Sequence, residues 1–186
     1  MIDEHRRSVW GLNRTGVKVM VIGALVYGLV WGVTLALNLP NLLFVAINPA
    51  IVILVVIGLV WGPLIGFVVG LLGTFLGDFL IGGQSYSFYW DLAIGLTGFF
   101  AGIGGWMHFR QTWQRYVWAV VWGLLTVIVG AFLTTVVQII FEELPPSTAW
   151  TSVFGPLVQS NGVNVIILTP LFLWLTEKFF HSDPLT

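Results

Sequence analysis

Thr126, Gly130, Thr134, Gln138 and Glu142 follow one another at intervals of four residues, which puts them on one face of a helix. At about 1.5 Å per residue, Thr134 and Gln138 stand roughly 12 and 6 Å below Glu142. Asn161 and Asn164 recur at a similar depth in the next apolar stretch, with Gln159 and Ser160 above them. Hydroxyls and carboxamides of this kind donate and accept hydrogen bonds. In an apolar helix they must point inward, because facing lipid would leave them unpaired. Two readings stay open: they bond helix to helix, or they wall a polar cavity that takes a ligand. Asp91, Trp90 and the aromatic connection around Gln84 and Tyr86 belong to the same neighbourhood in the second reading.

Other chemistries find little to work with. His5, His108 and His181 lie outside the apolar stretches, so no histidine is placed to hold an intramembrane haem or to complete a protease dyad. The sequence has no cysteine, no His-Glu-x-x-His pair and no phosphate-binding loop. Glycines at 62, 66, 70, 73 and 77 sit on an apolar helix, where they serve packing and not nucleotide binding. No catalysis, cofactor, metal site or nucleic-acid partner is expected. Asp78 reads either as an acceptor in the pocket or as an anchor at the end of its helix.

The elements that carry these residues are membrane helices. Of the 186 residues 58% are hydrophobic and only 8% are charged, where a soluble domain carries about a quarter charged residues. The composition predicts an all-α polytopic membrane protein in one domain, a six-helix bundle with spans at 16–37, 42–59, 63–81, 91–107, 116–141 and 153–174. Gly62-Pro63 separates the second span from the third, since proline has no amide proton and suits the first turn of a helix. The glycine-rich third span is the expected packing centre. On the first span Ala24, Gly28, Gly32 and Ala36 form a smooth stripe.

Alternate span ends divide the basic residues completely. Arg6, Arg7, Arg14, Lys18, Arg110, Arg115 and Lys178 fall on one side, and Asp78, Asp91, Glu142 and Glu143 on the other. The positive-inside rule makes the first side cytoplasmic, with both termini there. The polar stripe, the asparagines and the acids then converge on the outer half. With no Lys or Arg in that half, a carboxylate ligand would lose its hydration without a cationic partner. A neutral or cationic aromatic heterocycle, riboflavin-like or thiamin-like, suits it better, stacking on Trp90, Tyr86 or Trp150.

The small-residue stripe at 24, 28, 32 and 36, the Gly62-Pro63-x-x-Gly66-x-x-x-Gly70 start of the third span, the Gly77-Asp78 end and the six-span layout resemble the S components of energy-coupling factor (ECF) vitamin transporters. The resemblance implies a prokaryotic cell-membrane protein that captures a micronutrient from outside. It would dock through its first helix, at Ala24, Gly28, Gly32 and Ala36, on a membrane scaffold subunit driven by two cytoplasmic ATPases. It also implies ligand contacts at Asn41, Gln84, Tyr86, Trp90, Asp91, Thr134, Gln138, Glu142, Asn161 and Asn164. The rival from another class is an accessory subunit of a larger respiratory or photosynthetic membrane complex, its glycines permanent contacts and its polar stripe glue. A free-standing channel is the weaker third reading, as no continuous polar lining is evident.

Overall fold

The computed structural model describes residues 14–36, 48–82, 87–107 and 112–180, and all its regular structure is helical. Helix α1 (Arg14–Ala36) is followed by α2 (Pro49–Trp61), α3 (Pro63–Leu80) and α4 (Phe88–Ile103), which ends in a 3₁₀ turn at Gly104–Trp106. Then come α5 (Thr112–Phe141), the single-turn α6 (Pro146–Ala149), a π turn at Trp150–Phe154, and α7 (Gly155–Phe180). Among the described residues four stretches are long and apolar enough to cross a membrane: Arg14–Ala36, Pro63–Leu80, Trp113–Phe141 and Pro146–Lys178. α2 and α4 fall short of that length, at 13 and 16 residues. Part of the expected second span, residues 42–47, lies outside the described residues.

The break between α2 and α3 is a single residue. Gly62 has φ 99°, a left-handed conformation that a side chain would strain. Its N–H closes α2 on the Gly58 carbonyl at 2.8 Å, and Pro63 opens α3 at once. The α3 glycines share one stripe but serve two neighbours in succession. Gly66 lies against the Gly98 backbone of α4, and a Cβ on Gly70 would come 2.7 Å from the Ile94 carbonyl. Further along, Gly73 and Gly77 lie against the Tyr27 and Trp31 rings of α1. This is close packing over small residues, the means by which helices hold together in lipid.

α3 forms the two most extensive helix seams, with α1 and α4, while α2 is the most enclosed helix. Eight of its 13 residues are buried, among them the whole run from Ala50 to Val56. It touches α1, α3, α4, α5 and α7. A helix apolar on every side is one enclosed on every side. Tyr27, Val69, Ile94, Val127 and Val165 complete the core around it.

The stripe on α1 also faces inward. Ala24, Gly28 and Gly32 are buried, and only Ala36 is exposed. A Cβ on Gly28 would stand 2.7 Å from the Gly73 carbonyl, and one on Gly32 would stand 3.1 Å from that of Gly77. The expected docking stripe is therefore the seam between α1 and α3. Small residues on one helix met small residues on the next, and the intramolecular seam used them up. The exposed face of α1 is the opposite one, carrying Val17, Val21, Leu25 and Leu29.

Candidate functional site

A cavity opens between α1, α2, α4, α5 and α7. Its wall combines three aromatic residues (Tyr27, Trp31 and Trp90) with the carboxamides of Asn48 and Asn161, the hydroxyls of Thr97 and Thr134, and apolar ground from Ile51, Ile94, Val127 and Leu157. Among the described residues none that lines it is charged. The enclosed space is about 30 Å³, room for one or two waters.

Each polar residue is positioned by its helix. Thr134 donates back to the Gly130 and Ala131 carbonyls at 3.0 and 3.1 Å, and Thr97 to the Ala93 carbonyl at 2.8 Å. Such bonds to the preceding turn satisfy the hydroxyl proton and leave oxygen lone pairs for the cavity. Gly130 lies opposite Thr97, and a Cβ there would come 2.7 Å from the Thr97 side chain, so the glycine keeps the wall hollow. Tyr27 and Trp31 stack at 6.4 Å between centroids. Trp31 is fixed by its indole N–H, which donates to Asp78 Oδ1 at 3.0 Å. The Tyr27 hydroxyl lies 3.4 Å from that of Thr74.

Three asparagines tie α7 to the start of α2. The Asn164 side-chain N–H donates to the Ser160 carbonyl at 2.8 Å, and its Oδ1 accepts the Asn48 backbone N–H at 3.3 Å. Asn161 Oδ1 accepts from Asn48 Nδ2 at 3.4 Å. Asn48 Oδ1 and Asp91 Oδ1 are buried oxygens with no hydrogen-bond partner among the described residues.

The expected site residues divide accordingly. Trp90, Thr134 and Asn161 are on the cavity wall. Asn164 stands behind it as the support of Asn48. Asp91, 1% exposed, follows Trp90 at the start of α4 but does not line the cavity. Gln138 is half-buried beyond Thr134, and Glu142 is exposed. Both are off the wall: α5 runs on past the cavity, and its last turns leave the bundle's interior. Asn41, Gln84 and Tyr86 lie outside the described residues. Trp150 is exposed and packs on Phe132 and Phe154, away from the cavity. Asp78 resolves as an anchor, bridging α3 to α1 through Trp31.

The residue that sequence reasoning missed is Asn48, which the expected span 42–59 absorbed into an apolar run. Its signal was the Asn48-Pro49 step, a helix start, with an amide isolated among aliphatic residues. Tyr27 and Trp31 were hidden by the small-residue stripe beside them.

A family model described as ECF-type riboflavin transporter, S component, matches residues 14–178. No curated protein and no solved structure matches the chain.

Proposed function

The chain belongs to the family of ECF-type riboflavin transporter S components, and we propose that it captures riboflavin or a close neutral flavin from the outer side in the cavity between α1, α2, α4, α5 and α7. Membership makes it a multi-pass membrane protein and the substrate-binding subunit of a vitamin transporter, a transport component and not an enzyme. The observation that carries the ligand assignment is the wall itself, where Tyr27, Trp31 and Trp90 stand beside the Asn48 and Asn161 amides with no charge among them. Rings favour a flat heterocycle and amides its polar edge. A wall without charge disfavours both carboxylate vitamins and a permanent cation such as thiamin, since a desolvated charge left unpaired costs several kcal/mol or more. At about 30 Å³ the cavity must widen to admit such a ligand, because small-molecule sites run to about 300–1,000 Å³.

The side of entry follows from the charges. Arg115 and Lys178 lie at the opposite ends of α5 and α7 from Glu142 and the α7 start, so the positive-inside rule turns the cavity end outward in a prokaryotic cell membrane. One titration addresses both points. Riboflavin added to sealed right-side-out vesicles should quench and bind one to one, while thiamin, biotin and pantothenate give no response. Response only in inside-out vesicles would reverse the orientation, and tight binding of a carboxylate vitamin would sink the ligand assignment.

Delivery requires a membrane scaffold with its ATPases. With the small-residue stripe buried, the docking face proposed on α1 is the exposed row Val17, Val21, Leu25 and Leu29. Leu25→Trp should reduce uptake by about tenfold, as loss of one central contact does at an interface, while flavin affinity in the isolated protein is unchanged. Unimpaired uptake would move the docking face elsewhere. The rival reading, a permanent accessory subunit, loses its main support, because the α1 stripe that suggested a standing partner meets the chain's own α3.

A further inference from the structure

Besides its backbone carbonyl, Asn48 has three hydrogen-bonding groups at the start of α2, and the protein uses two of them. Its backbone N–H goes to Asn164 Oδ1 at 3.3 Å, and one Nδ2 hydrogen goes to Asn161 Oδ1 at 3.4 Å. Asn48 is a residue of the cavity wall, and its side-chain oxygen is buried with no partner among the described residues. Buried carbonyl oxygens are seldom left unmade unless something other than the fold meets them. Asn164, itself anchored on the Ser160 carbonyl at 2.8 Å, holds the Asn48 backbone, and Asn161 holds the side-chain amide. The acceptor is thus preset.

Resting on the functional reading above, we propose that Asn48 is the residue that selects the ligand by its hydrogen-bonding edge, accepting on Oδ1 an N–H from a lactam or imide of a flat, uncharged heterocycle. The chemistry of the wall narrows the donor. With no charged residue in the lining among the described residues, an ammonium or guanidinium donor would stay uncompensated. An aliphatic hydroxyl would satisfy the oxygen but leave the rings of Tyr27, Trp31 and Trp90 without a face to cover. A lactam N–H lies in the plane of a ring that those side chains can cover. It also brings a carbonyl beside the N–H. Nδ2 carries two hydrogens, of which one is committed to Asn161. A carboxamide can therefore meet the N–H/C=O pair with two parallel bonds, as asparagine meets the donor–acceptor edge of adenine. In riboflavin the matching group is N3–H between two ring carbonyls.

The discriminating probe is 3-methylriboflavin, which keeps the ring and the ribityl chain but has no N3–H. Purified full-length protein is titrated with both flavins by fluorescence quenching, as wild type, Asn48→Ala and Asn48→Asp. Wild type should prefer riboflavin by about 30-fold or more, in line with a buried acceptor left unpaired. In Asn48→Ala that ratio should fall to about threefold or less, because the acceptor is gone and the vacated space admits the methyl group. Asn48→Asp keeps the acceptor oxygens and should keep the preference, whatever its absolute affinity; it and the wild type decide the matter if Asn48→Ala does not fold. Equal binding of the two flavins by wild type overturns the inference and leaves the functional reading standing. So does a ratio in Asn48→Ala that matches wild type, which would place the methyl clash elsewhere. Failure of wild type to bind riboflavin removes the functional reading and this inference together.

Discussion

Gly98→Leu is expected to yield no monodisperse protein from detergent extracts, and Gly98→Ala a protein destabilised by about 3 kcal/mol. The reason is a reciprocal contact: a Cβ on Gly98 would run into the Gly66 backbone, and a Cβ on Gly66 into the Gly98 carbonyl. Backbone cannot rotate aside as a flexible side chain can. The clash therefore separates α3 from α4 along the whole seam, including the contact of Gly70 with Ile94. Gly162→Ala is the control. Its Cβ would meet only Leu124 Cδ2, at an ordinary 3.6 Å, and the better helix propensity of alanine should make it neutral or slightly stabilising. Thermal unfolding followed by size-exclusion chromatography distinguishes them. A Gly98→Ala protein melting with wild type would mean that the two helices are not apposed as described.

Asn161→Leu is expected to lower riboflavin affinity by about 100-fold, the effect of a buried amide stranded without its partner. Leucine is nearly isosteric with asparagine, so the wall keeps its shape and the protein should fold. What changes is the polarity. Asn48 Nδ2 loses its acceptor, and the cavity loses one of its two carboxamides. Val163→Leu, two residues along on the exposed side of α7, should bind as wild type. Affinity unaltered in Asn161→Leu would place the binding site outside this cavity.

The parts of the fold legible in the sequence are those marked by residues with one dominant physical use. Gly62-Pro63 could only be a break, and the α3 glycines could only be close contacts. Asn161 was legible because an amide within an apolar helix needs an inward partner. Direction was harder to read. The stripe at Ala24, Gly28 and Gly32 announces a close approach but not to what, and its complement at Gly73 and Gly77 was read separately as a stripe of its own. The enclosure of α2 was invisible for the opposite reason: a helix apolar on every side shows no face to orient it. On α5 the four-residue spacing treated Thr134 and Glu142 alike, though one is buried and the other exposed. Periodicity assigns a face, while depth depends on where the neighbouring helices end. Asn41, Gln84 and Tyr86 fall outside the described residues.

The shortness of α2 has a consequence for how the protein sits in a bilayer. Its 13 residues span about 20 Å, some 10 Å less than the hydrocarbon slab. A lipid-facing helix of that length would force the bilayer to thin around it. None of its residues is exposed, so the mismatch is taken up by the longer helices around it and never reaches the lipid. Asn48, at the head of α2, lies level with Asn161 and Asn164, about two turns inside the start of α7. Changes in bilayer thickness would tilt α1, α5 and α7, whose exposed faces carry the lipid contact, and would leave α2 shielded from them.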